Sequence, residues 1–246
     1  MTTLVSERRP RATTSLVLLY RLLLRTQITV SRLLGIAALG ALSVLLGALS
    51  RADDDPAQAA AEVVATYGLG MLLPLATLWL GTSVVGDLVE DRLLVYLWLK
   101  PVARWQLPAA AVLATFSVVA PLTALPVAAS VLVAGAEDVA LPAFAAAMLA
   151  ALAYTGLFVA AGLWFRRAVW WGLVFVLLWE NVLAYSAEGT ARFTISEWAR
   201  SLLETAPGVD VALGARSAAA AFVVLPAVAV AGWLVATMRY RRAEVD

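Results

Sequence analysis

Two places in the chain hold residues whose chemistry is out of keeping with their surroundings. The first is Glu180, the only charged residue well inside an apolar run, Ala168 to Tyr185. At 1.5 Å per residue it lies about 18 Å from the start of that run. A carboxylate there is costly unless it faces a bundle interior or a wet cavity, where such groups serve pathways and gates. The alternative is a carboxyl tied to Asn181, Tyr185 or the following polar segment, where it pins that segment in place. The second place is the polar stretch between two other apolar runs, which carries Asp87, Glu90, Asp91, Arg92, Tyr96, Lys100, Pro101 and Arg104. It reads as a short helix with defined ends. Asp87 caps it, Glu90 and Asp91 suit its positive amino end, Lys100 suits its carboxyl end and Pro101 stops it. Leu93, Leu94 and Leu97 share one face. Such a helix either plugs a groove on a soluble partner or lies on lipid headgroups.

Neither place assembles a nucleophile with a base. The sequence has no His and no Cys, so Ser-His and Cys-His triads, Cys/His zinc sites and disulfides are excluded. No G-x-x-x-x-G-K-[ST] phosphate loop is present, and the reading is that the chain is not an enzyme. The net charge of +1 argues against a nucleic-acid partner.

The elements that must position these residues are set by hydropathy. Of the 246 residues, 63% are hydrophobic and 14% charged, with a mean hydropathy of +0.88. Ordinary soluble domains are about 45–50% apolar and about 25% charged, so the solvent of this chain is largely lipid. A spanning helix needs about 20 mainly apolar residues. Six stretches qualify: about Leu33–Ser50, Val63–Gly86, Leu107–Ala134, Leu141–Phe165, Ala168–Tyr185 and Ala218–Met238. Basic residues collect on the cytoplasmic side of bacterial inner-membrane proteins. With both termini inside, only Arg51, Arg192, Arg200 and Arg216 of the 18 basic residues fall outside.

The amino-terminal segment is not read as a cleavable signal, because Arg21 and Arg25 interrupt its apolar run and no small-residue cleavage site closes it. Arg21, Arg25 and Arg32 fall within about 40° of one another on a helical wheel, which predicts an interfacial amphipathic helix. It serves as an anchor alone or also touches a cytoplasmic partner. Pro121 and Pro126 make the third span the expected broken or hinged helix. Between the fifth and sixth spans, Thr194-Ile-Ser-Glu197 reads as a capping box. Ile195, Trp198, Ala199, Leu202 and Leu203 follow with helical amphipathic spacing. The expectation is a short helix lying flat on the outer face, as a packing cap or a substrate gate. Trp170, Trp171 and Trp179 read as interface anchors.

The loop sequence resembles the ABC-type-2 exporter permeases. That family carries a small-residue end to its second span, an acidic cluster, then Tyr-Leu-Leu before Pro-Val-x-Arg. Gly86, Glu90, Asp91, Tyr96, Leu97, Pro101, Val102 and Arg104 match; Arg92-Leu93 stand where many relatives carry Gly-Thr. Leu178-Trp179-Glu180 and Phe193-Thr-Ile-Ser196 are similar to stretches of some prokaryotic members. The resemblance implies that the loop helix is a coupling helix docked on a separate ATP-binding subunit, which holds ATP and Mg; this chain needs no cofactor. It also implies a second permease protomer, as a homodimer or a closely related chain, with the substrate path between the two.

The resulting expectation is an all-α integral membrane protein with one permease domain, residues 1–246. It comprises an interfacial amino-terminal region (1–32), a six-span bundle (33–238) and a cytoplasmic tail (239–246). Its place is the bacterial cytoplasmic membrane and its role the permease subunit of an exporter. The alternatives are a non-transporting membrane scaffold that recruits a soluble partner, and an ion-coupled secondary transporter using Glu180.

Overall fold

Inside a bilayer the backbone has no water to bond with, so apolar runs of this length form helices whose peptide groups satisfy one another. The computed structural model describes residues 12–90, 103–165, 167–183, 193–212 and 217–242, and among these there is no strand. Helix α1 (Ala12–Gln27) is joined by Ile28 and Thr29 to α2 (Val30–Ser50). The chain then enters α3 (Pro56–Val63), opened by the Asp55 side chain, which accepts a hydrogen bond from the Gln58 N–H. It continues through a π-helical segment, π1 (Val64–Leu72), into α4 (Leu73–Glu90). Helices α5 (Gln106–Ala134) and α6 (Glu137–Trp164) form a hairpin whose turn places Gly135 at φ 88°, the left-handed region that glycine enters without a Cβ clash. A seven-residue α7 (Ala168–Val174) runs directly into π2 (Phe175–Leu183). The short α8 (Ile195–Leu203) and the long α9 (Ala218–Arg242) follow.

Among the described residues, five helices are long and apolar enough to cross a membrane: Val30–Ser50, Pro56–Val84, Gln106–Ala134, Glu137–Trp164 and Ala218–Arg241. The chain is a multi-pass, all-helical membrane protein. The sixth expected span is the exception. Its described part holds 7 α-helical and 9 π-helical residues, and the rest of that run lies outside the described residues.

Helix α6 is the centre of the bundle, packed against α4, α5, α8 and α9. Lipid gives helices no hydrophobic reason to associate, so close backbone approach must do it. Small residues provide that approach: Ala146, Ala147, Ala150, Ala151 and Ala153 are all buried. At the crossing with α9, a Cβ on Gly156 would stand 2.6 Å from the Ala229 carbonyl, and Gly232 lies against the Gly156 backbone in turn. Gly47 of α2 meets the Ser130 backbone of α5 in the same way.

At one end of the bundle a separate buried cluster gathers α1 (Leu19, Leu23), the end of α4 (Val84), the start of α5 (Leu107, Ala110), the end of α6 (Val159) and the end of α9 (Tyr240). Three side-chain hydrogen bonds tie α1 to α5. Ser15 Oγ donates to Gln106 Oε1 at 2.8 Å, Gln27 Nε2 to Thr115 Oγ1 at 2.7 Å and the Tyr20 hydroxyl to Ser117 Oγ at 3.1 Å.

The expected hinge in the third span is corrected. Helix α5 passes through Pro121 and Pro126 without a break. Membrane helices absorb proline where neighbours and hydroxyl side chains support the freed backbone. Here the Pro126 ring packs on Gly40 of α2, which also lies beside the Leu122 carbonyl that Pro126 leaves without its helical donor. The irregular helices are instead the second and fifth. π1 ends two residues before Pro74, whose ring opposes the carbonyl four residues earlier, that of Gly70. The wider turn, with the Leu73 N–H reaching back to the Gly68 carbonyl, takes up that conflict.

Candidate functional site

The residues of the sequence motif between α4 and α5 divide as follows. Asp91, Arg92, Tyr96, Lys100, Pro101 and Val102 lie outside the described residues. Asp87 and Glu90 lie within α4, which runs on through Glu90. The expected loop helix itself falls on residues outside the described ones. Gly86 is too weak a breaker to end α4 alone, and no proline follows before Pro101. Arg104 is exposed in the turn that opens α5, where the Gln106 N–H donates to the Ala103 carbonyl at 2.9 Å. Of the amino-terminal arginines, Arg21 and Arg25 are exposed on α1, and Arg32 is half-buried in the first turn of α2.

At the opposite end of the bundle the structure assembles a polar cluster that is sealed from solvent. Glu180, in π2, is 1% exposed. Its Oε1 accepts a hydrogen bond from the Ile195 N–H at 3.0 Å. Its Oε2 accepts from the Ser196 N–H at 3.2 Å and from the Ser196 hydroxyl at 2.6 Å. The carboxylate thus sits on the first turn of α8, where unpaired N–H groups and the positive helix end favour a negative charge. Of the two readings of Glu180, these bonds belong to the pin. Tyr185, one partner considered for it, lies outside the described residues.

The capping box at Thr194 is corrected with it. Thr194 takes the extended N-cap conformation, φ −99° and ψ 138°, but its side chain makes no cap bond. The acceptor for the first turn of α8 comes from a distant span instead. Glu197, the other half of the box, pairs with Arg200: Nη1 donates to Glu197 Oε1 at 2.7 Å, and both side chains are buried. Arg200 Nη2 donates to the Ala65 carbonyl of π1 at 3.2 Å. A change from α- to π-type bonding alters which residue each carbonyl reaches, and the Ala65 oxygen is met by this guanidinium.

α8 is covered on both faces. Its apolar residues Ile195, Ala199, Leu202 and Leu203 are buried, and so are Ser196, Glu197, Arg200 and Ser201 on its polar face. The helix is inserted among α6, α9 and π1. A buried charge is tolerated only when paired and hydrogen-bonded; Glu197 has Arg200, and Glu180 has the end of α8.

Beneath the cluster is Tyr154 of α6, fully buried, with its hydroxyl beside the Glu180 and Ser196 side chains and within electrostatic reach of Arg200. Its ring stacks on Phe158 with centroids 5.9 Å apart, and Phe158 meets Phe175, the first residue of π2, edge-on at 6.3 Å. Trp179 Nε1 donates to the Phe193 carbonyl at 3.4 Å, while Trp170 and Trp171 are exposed, as interface anchors are.

Sequence reasoning found Glu180 and the start of α8 but missed Glu197, Arg200 and Tyr154 as members of one site. The i, i+3 spacing of Glu197 and Arg200 was the available signal; a backbone carbonyl such as that of Ala65 leaves none. The arrangement is a mechanical joint. Two acids and one base are each committed, and they fasten α8 to both π segments. No group of acidic side chains that could hold a metal ion occurs among the described residues. Compared with models of known protein families the chain matches none, and no curated protein matches it.

Proposed function

We propose that this chain is the membrane permease subunit of an ATP-driven exporter of the ABC-type-2 kind. In this reading it works with a separate ATP-binding subunit and a second permease protomer in the bacterial cytoplasmic membrane. The observation that carries the proposal is the segment from Gly86 to Arg104, in which an acidic pair, Tyr96-Leu97 and Pro101-Val102-x-Arg104 follow one another between two apolar helices. The fold supports the reading mechanically. α4 continues to Glu90 and α5 starts at Gln106, so force on the segment between would pass into two stiff helices. Three hydrogen bonds join α5 to α1 at the same end.

Chain geometry supports six crossings with both ends on one side. α6 and α9 both finish in the cluster that holds α1. The chain from Phe165 to Ser217 must therefore return to the opposite end, and α7 with π2 is the segment available to carry it. Exposed Arg21, Arg25, Arg104, Arg167 and Arg241 mark the α1 end, and exposed Asp53, Asp54, Asp55, Glu137 and Asp138 the other, which supports a cytoplasmic α1 end. The three hydrogen bonds on Glu180 weigh against an ion-coupled transporter that needs this carboxylate free.

The test is a triple variant, Glu90→Lys, Asp91→Lys and Tyr96→Ala, co-expressed with the ATP-binding subunit encoded nearest to it. Binding of that subunit, substrate-stimulated ATP hydrolysis and transport should all fall while the variant still inserts. Normal values of all three would refute the reading.

A further inference from the structure

The roll of α1 about its own axis is set by the bundle. Leu19, Leu23 and Gln27 face inward, and the bonds from Ser15, Tyr20 and Gln27 to α5 lock that orientation. The opposite face is therefore unambiguous. It presents Leu18 and Leu22, 61% and 51% exposed, beside Arg21 and Arg25, which are also exposed. Neither arginine forms an ion pair among the described residues, and α1 contains no acidic residue. The apolar strip continues through Ile28 and Val30 to Leu34 on the exposed side of α2, a membrane-length helix. The strip thus runs straight into the lipid-facing surface, and the basic strip lies alongside it at the same end of the bundle.

We propose that this face of α1 is a docking surface for anionic phospholipid. Leu18 and Leu22 enter the acyl boundary, while Arg21 and Arg25 pair with headgroup phosphates. Four residues apart on one helix face, the two guanidinium groups are near enough to share a headgroup. A planar guanidinium matches phosphate oxygens two at a time, and long basic side chains keep their charge in the headgroup layer while their stems cover apolar surface. Each basic residue near an anionic surface prefers it over a neutral one by about fivefold. A zwitterionic surface offers the same apolar contact without that gain. The inference needs only a membrane-embedded bundle and is independent of the exporter reading.

The absence of native cysteine allows a direct test. Leu18→Cys in the full chain takes a single bimane label. The labelled protein is placed in nanodiscs of mixed phosphatidylglycerol and phosphatidylcholine, with one or the other lipid brominated. Quenching by brominated phosphatidylglycerol should exceed that by brominated phosphatidylcholine severalfold and weaken in high salt. In the Arg21→Gln/Arg25→Gln background the two should become nearly equal, whereas Arg21→Lys/Arg25→Lys should retain most of the preference. Equal quenching in the parent would overturn the proposal, as would a preference that survives the glutamine pair. Absence of quenching by either lipid would mean that a protein, a second copy or another chain, covers the face, and would overturn it as well.

Discussion

Replacing Glu180 by alanine removes the acceptor for two backbone N–H groups and one hydroxyl of α8. Glu180 and Ser196 are each 1% exposed, so water does not step in without local opening. An unsatisfied buried donor costs about 1–3 kcal/mol. The Ser196 hydroxyl can rotate toward another acceptor, but the two N–H groups are fixed by the helix. Together they put the loss at about 2–6 kcal/mol. Glu180→Gln keeps one oxygen acceptor but discards the charge at the positive helix end and turns an NH2 toward a donor. Its loss is about 2 kcal/mol, within the range for helix N-caps. Since 1.4 kcal/mol is a factor of ten, a 3 kcal/mol loss lowers protection of α8 against amide exchange by about a hundredfold. Exchange over residues 195–203, read by mass spectrometry on the full chain in nanodiscs, should rise in the order wild type, glutamine, alanine. Exchange in α2 and α5 should change little. If alanine leaves α8 within threefold of wild type, the helix is held by its apolar face alone and the reasoning about the carboxylate fails.

Arg200→Ala should cost about 3–5 kcal/mol, because it removes one half of a buried ion pair. The double variant Glu197→Leu/Arg200→Met should recover most of that loss in thermal unfolding, since an apolar pair removes both charges. Gly156→Val should separate α6 from α9, where a Cβ already meets the Ala229 carbonyl at 2.6 Å; a loss of at least about 1–3 kcal/mol and reduced monodispersity on gel filtration are expected. Cysteines placed at Asp53 and Arg241 should label from outside and inside the cell respectively; labelling of 241 from outside would refute the six-crossing topology.

The distribution of apolar residues by itself determined that this chain is a helical membrane protein and where its long helices run. Val30–Ser50, Gln106–Ala134 and Ala218–Arg242 begin and end within a few residues of the apolar runs, because a backbone in lipid has no alternative to helix. The basic and acidic residues were sorted between the two ends by the same run lengths. A lone carboxylate in an apolar run marked Glu180 as unusual, since few environments tolerate it. Its partner was not legible. The acceptor for α8 comes from 15 residues upstream through a fold that juxtaposes π2 with Ile195 and Ser196, and local spacing points to Thr194 instead. The burial of Glu197 and Arg200 was equally hidden, because amphipathic periodicity assigns a polar face to water, whereas here that face meets a carbonyl of π1. The prolines of α5 misled for a related reason. A proline sets a local defect, but whether the helix breaks depends on what packs against it, and with Gly40 seated on the Pro126 ring α5 runs on unbroken. Hydropathy is a property of each residue and survives in the sequence; pairing is a property of two distant segments, and only their tertiary contact decides it.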